Sequence, residues 1–198
     1  MKKILLFIFL SSLFLASCQE ETKDAEEFAN WQKVNETAFN AKYSAAIANS
    51  SDNLDTIRCY SMTAKPLPTT TDYIVVQKLN RINELVKADS PKGSPIYTDS
   101  VAISYRGRLQ PSYSYSNGMV FDQSFTSADY NYQTAKARRF LTSSVVSGFS
   151  TALQHMSIGD HWIVYIPHQL GYGSTQSSSS TIPAYSLLTF EIVLEKYW

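Results

Sequence analysis

The residues able to do chemistry form a short ordered series. It runs Val120-Phe121-Asp122, then Gly148-Phe149, then Ile166-Pro167 through Gly171-Tyr172-Gly173, and last Ile182-Pro183. Read in that order, the series spaces an apolar pocket with two polar handles, Asp122 and Tyr172, along strand-forming sequence. No ordered His, Cys or Ser set accompanies it to supply a nucleophile or a metal site. His155, His161 and His168 lack the helical His-Glu-x-x-His spacing, and Cys59 has no paired thiol. No Gly-x-Ser-x-Gly nucleophile elbow occurs either. The chain is therefore expected to work without metal or cofactor.

Such a pocket needs strands to hold it. Tyr73 to Leu79 is short and β-branched, and Val101, Ile103 and Tyr105 alternate with Ala102, Ser104 and Arg106, the signature of a half-buried strand. Trp162, Val164 and Ile166 repeat the alternation, as do Leu188, Phe190, Ile192 and Leu194. Between them Phe149, Ala152, Leu153 and Met156 fall at helical spacing, which predicts one helix over 147–155, and Gly159-Asp160 turns the chain onward. The expected fold is α+β: an antiparallel curved sheet wrapped around one short helix. No repeat is visible, and Ser177 to Ser180 reads as the tip of a loop.

Several of these stretches match one family pattern in order. Tyr105-Arg106-Gly107 looks like a Tyr-x-Gly strand, Phe121-Asp122-Gln123-Ser124 like a Phe-Asp-x-Ser motif, and Val145-Val146-Ser147-Gly148-Phe149 like Val-Ile-x-Gly-Trp. Ala152-Leu153, Met156, Gly159, Tyr172-Gly173, Ile182-Pro183, Leu187-Leu188 and Phe190 follow at compatible spacing. Together they resemble the FKBP-type peptidyl-prolyl isomerases from about Asp72 to Lys196. The resemblance implies a proline-binding pocket walled by Tyr105, Phe121, Val145, Val146 and Phe190, with Phe149 as its floor. It also implies Asp122 and the Tyr172 hydroxyl as catalytic handles and the Ile182 backbone N–H as the grip on a substrate carbonyl. Those residue types suit the task. An X–Pro bond resists rotation by about 18–20 kcal/mol because resonance makes it partly double. A dry apolar pocket disfavours the dipolar planar amide relative to the twisted one, with no covalent intermediate.

Taken singly, Tyr105, Phe121 and Phe190 read as core residues, and Asp122 and Tyr172 as turn residues. The chain also departs from the family. Phe149 stands where Trp is usual, Gln110 to Met119 is longer than the usual hairpin, and the family's second pocket Phe has no counterpart in 125–139. Phe140 reads as strand core.

The other end of the chain is an address. Lys2 and Lys3 precede an apolar run from Ile4 to Ala16, shorter than the roughly 20 residues of a membrane span. The run closes in Leu15-Ala16-Ser17-Cys18, which looks like a bacterial lipobox with Cys18 as the lipidated mature N-terminus. The expected plan is a signal peptide over 1–17, a tether, amphipathic helix and connector over 18–71, and an isomerase domain over 72–198. The helix begins near Asp24, with Asp24, Glu26 and Glu27 in its first turn, and buries Phe28, Trp31, Val34, Ala38, Phe39, Ala45 and Ile47. It packs on its own domain or, as in some relatives, forms a homodimer.

The whole chain carries 17 basic and 17 acidic residues, and loss of Lys2 and Lys3 leaves 15 against 17. No basic excess marks a nucleic-acid partner. Gln19 does not resemble an inner-membrane retention signal, which favours the outer membrane of the cell envelope. Two functions fit: a tethered isomerase acting on proline-containing polypeptides to help exported proteins fold, or a non-catalytic module gripping a partner through the pocket or through Tyr113, Tyr115, Tyr130 and Tyr132.

Overall fold

A computed structural model describes residues 27–48, 53–175 and 181–198. The leader, Cys18, Asp24, Glu26 and the tip of the serine-rich loop lie outside these. Helix α1 (Trp31–Ile47) comes first, then strands β1 (Leu54–Arg58), β2 (Tyr73–Lys78), β3 (Ser100–Arg108), β4 (Val120–Gln123) and β5 (Arg138–Leu141). Helix α2 (Ser147–Leu153), β6 (His161–Ile166) and β7 (Leu188–Tyr197) complete it. All strands join one antiparallel seven-stranded sheet in the order β1-β2-β6-β7-β3-β4. Strand β5 shares the outer edge of β3, pairing along residues 100–103 while β4 pairs along 106–108. Among the described residues no helix is long and apolar enough to cross a membrane.

The short helix lies against one face of the curved sheet, where Phe149, Ala152 and Leu153 meet Ile74, Val164, Ile166 and Ile192 in the main core. Gly148 is what lets the helix approach so closely. A Cβ there would stand 2.4 Å from Ile166 Cγ2, so any side chain would push helix and sheet apart. Strands β6 and β7 bury Trp162, Val164, Ile166, Phe190, Ile192 and Leu194, as their alternation predicts.

The opposite face is covered in two parts. Helix α1 lays Phe39 and Ala46 over Val75, with Tyr43 and Tyr165 beside them. The loop after β4 covers the back of β3, and this corrects the expectation of a half-buried strand, since Ser104 and Arg106 are both buried. Their polarity is absorbed locally. The Arg106 guanidinium donates to the carbonyls of Phe125, Ser127 and Ala128 and lies over the Phe125 ring, with Glu191 4.0 Å away. Ser104 and Tyr130 both donate to Glu195. Burial, then the Glu195 charge and hydrogen bond, push the Tyr130 hydroxyl pKa up. A buried charge so fully partnered escapes most of its desolvation cost.

Three further details differ from the sequence reading. Val34 and Ile47 are exposed, at 42% and 61%, while Asn35 is buried in their place. Glu27 lies ahead of α1 and outside its first turn, separated from it by Asn30 at φ 54°. Its carboxylate instead accepts hydrogen bonds from Ser112 and Ser114 at the tip of the long β3–β4 hairpin. Lastly, the stretch read as connector contributes β1, held to β2 over its whole length. Asp72 fastens the segment between them, taking the Thr69 N–H at 2.6 Å and Lys65 at 2.9 Å, and those bonds hold its pKa below the usual value.

Candidate active site

Period-two geometry points Tyr105 and Gly107 of β3 to the same face. Gly107 stands between Asp122 on β4 and Phe190 on β7. A Cβ on Gly107 would meet Phe121 Cζ at 2.5 Å and Phe190 Cε1 at 2.7 Å, so the bare backbone makes room for both rings. The β3–β4 register slips between Gly107 and Arg108, leaving Phe121 without an opposite residue. This bulge lets the adjacent Phe121 and Asp122 serve one rim, which a regular strand would forbid.

The aromatic rings meet edge to face, except that Tyr105 lies tilted against Phe190. Phe121 lies 5.4 Å from Phe190, Phe149 lies 4.8 Å from Phe190, and Tyr105 lies 6.4 Å from Phe149 and 6.5 Å from Phe190. Edge-to-face packing matches the positive edge of one ring to the negative face of another. Val145 and Val146 are half-buried against the main core that contains these rings, and Ile182 is buried within that core. Phe140, read from sequence as strand core, packs at 5.7 Å on Tyr105 and so borders the group.

Polar groups gather at one side. Tyr105 donates its hydroxyl to Asp122 Oδ2 at 2.5 Å, and Arg138 Nη1 donates to Asp122 Oδ1 and to the Tyr105 oxygen, both at 3.0 Å. Burial, with Asp122 second, pushes the Tyr105 pKa up to about 12. Ser124 braces the arrangement by accepting the Tyr105 N–H at 2.9 Å, while its own N–H returns to the Tyr105 carbonyl at 2.8 Å. Sequence reasoning missed Arg138. It lies on a four-residue strand with no fixed offset from Asp122, so no local signal marks it.

Tyr172 stands apart from the packed rings and is 54% exposed. It sits in a turn closed by Gly171 and Gly173, whose N–H groups both donate to the His168 carbonyl. Burial of the hydroxyl raises its pKa, and the Asp122 charge adds to this. The structure thus joins Tyr105, Phe121, Phe149 and Phe190 by ring contacts, with Asp122 hydrogen-bonded to Tyr105; Val145, Val146 and Ile182 belong to the same main core, and Tyr172 is half exposed.

A curved antiparallel sheet closed over a short helix, with an aromatic cluster rimmed by a carboxylate, defines a binding fold of the α+β class. The sequence profile described as FKBP-type peptidyl-prolyl cis-trans isomerase matches residues 92–195, and the chain belongs to that family. Among similar proteins, a macrophage infectivity potentiator of Trypanosoma cruzi is 35% identical over 105 residues, covering 53% of this chain and 46% of its own. The peptidyl-prolyl cis-trans isomerase Mip of Coxiella burnetii is 35% identical over 101 residues, covering 51% and 38%. The match therefore spans less than half the length of either relative. A crystallised peptidyl-prolyl cis-trans isomerase from Pseudomonas syringae shares the fold, with TM-score 0.52, 22% identity and coverage of 84% of this chain and 95% of that one.

Proposed function

We propose that the chain is a peptidyl-prolyl cis-trans isomerase that acts on proline-containing polypeptides exported to the cell envelope. The observation that carries this reading is the packed ring cluster of Tyr105, Phe121, Phe149 and Phe190, with Asp122 hydrogen-bonded to Tyr105. A prolyl ring binds such a surface by burying apolar area, and the drying of its amide favours the twisted state over the planar one. Asp122 and Tyr172 are the polar handles, and Ile182 orients the substrate carbonyl. No bond to the enzyme forms.

Cys18 supplies the lipid anchor in this reading, which places residues 72–198 on a tether at the outer membrane. The apolar face of α1 packs on its own sheet, which favours self-packing over a homodimer built on that face. A protease-coupled assay on a Leu–Pro peptide tests the activity. Acceleration over the uncatalysed rate, reduced by Asp122→Ala and Tyr172→Phe, is expected; folded protein without acceleration ends the reading.

One observation favours the second reading, a non-catalytic module. Tyr113 is 94% exposed at the hairpin tip that Glu27 holds in place, and Tyr115 and Tyr132 are exposed as well. Rigid aromatic side chains on pinned loops suit protein contact. Activity indifferent to Asp122→Ala, with partner binding lost on Tyr113→Ala, would favour it.

A further inference from the structure

We propose that Trp31 on α1 is a positioning residue for the prolyl site, acting through Ser186 on the Ile182-Pro183 corner; this rests on the isomerase reading. The indole N–H of Trp31 donates to Ser186 Oγ at 2.9 Å, and Ser186 donates in turn to the Pro183 carbonyl at 2.7 Å. A hydroxyl carries one hydrogen. Ser186 spends it on Pro183, so its lone pair is free for the indole, and each bond polarises the other. Trp31 and Ser186 are both buried, where water cannot substitute for either partner.

A second clamp from the same helix supports the first. Asn35 Oδ1 accepts the Leu187 N–H at 2.8 Å, while Asn35 Nδ2 donates to the Trp31 carbonyl at 2.7 Å and fixes the amide's direction. Both clamps grip the chain just after Tyr185, a non-glycine residue at φ 63°. Such a conformation persists only when its surroundings over-determine it. Here the Tyr185 N–H bonds to the Gly173 carbonyl at 3.0 Å, which ties the same corner to the Tyr172 turn. Trp31 lies outside the family-matched stretch, so the corner's geometry is set partly by a helix upstream of it. A phenylalanine at 31 would fill much of the space but leave Ser186 without its donor.

The test uses the full chain with Trp31→Phe, Ser186→Ala and the double variant, assayed on a Leu–Pro tetrapeptide. Each single change is expected to raise KM about three- to tenfold, the loss of one net hydrogen bond, with kcat within about twofold. The double variant should be no worse than the poorer single one, because both interrupt one relay. In the unaltered chain, saturating peptide should slow hydrogen exchange of the Trp31 indole by a similar factor, since coupling is reciprocal. This NMR measurement stands even where a variant folds poorly. Unchanged KM with only a lowered melting temperature overturns the proposal, as does indole exchange indifferent to peptide. A wild-type chain that binds the peptide without turnover overturns the isomerase reading alone, and variant Kd values then decide the role of Trp31. One that neither binds nor turns over overturns both.

Discussion

Tyr105 donates its hydroxyl to Asp122 at 2.5 Å across neighbouring strands, and Arg138 reaches the oxygens of both. A carboxylate beside an aromatic cluster would ordinarily draw water into it. Here the guanidinium balances the charge and the phenol fills one lone pair, so the rim stays oriented.

Removing Arg138 should therefore cost function more than stability. The Arg138 and Asp122 side chains are about half exposed, and exposed pairs are worth about 0–1 kcal/mol. Arg138→Met is expected to move the melting temperature little while lowering kcat/KM several-fold. Thermal unfolding and the coupled peptide assay, run side by side, check the split.

The raised tyrosine pKa values predict weakness in alkali. Tyr105 holds its proton to about pH 12 in the folded state, against 10 unfolded. Its stabilising contribution is whole below pH 10 and is lost as pH climbs towards 12. Tyr130 and Tyr172 shift in the same direction. Denaturant unfolding should show stability falling above pH 10, with a shallower fall in Tyr105→Phe.

Gly107→Ala should close the site from beneath. The new methyl would collide with the Phe121 and Phe190 rings. Overpacking of this kind costs about 1–3 kcal/mol. Phe121, only half-buried, is the ring able to yield, so the protein should fold yet lose most of its affinity for a prolyl peptide. Calorimetric titration and a circular dichroism melt separate the two effects.

At mildly acid pH one sensitive group is His168. Burial lowers its pKa below the usual 6.5, an effect that Glu36, 3.7 Å from Nε2, opposes. Its contribution is present above pH 6.5 and is lost as pH falls and the unfolded chain takes up the proton. The melting temperature should begin to drop as pH falls below about 6.5. His168→Gln should flatten the drop and Glu36→Gln should steepen it.

The sequence displayed the strands whose large apolar residues recur at every second position, above all β6 and the first half of β7. It displayed β3 as a strand too, but hid the burial of its polar back face. Ser104 and Arg106 resemble solvent-facing residues until the loop that folds over them is known. Strands β1 and β5 were hidden by brevity, since Leu54 to Arg58 and Arg138 to Leu141 are too short for a period to register. The ring cluster was legible because Tyr105, Phe121, Phe149 and Phe190 sit in motifs of fixed order. Arg138, the Glu27 clamp and the Trp31 relay were not. Each joins segments distant along the chain, and no spacing rule records such a meeting.

The way Arg106 grips the loop after β4 has a consequence for what that loop is free to become. The guanidinium holds it by the carbonyls of Phe125, Ser127 and Ala128, groups that every amino acid brings. Exposed letters such as Tyr132 are therefore rewritable while the path stays laid. A designer wanting a new partner for this surface could randomise its text and leave the spine untouched.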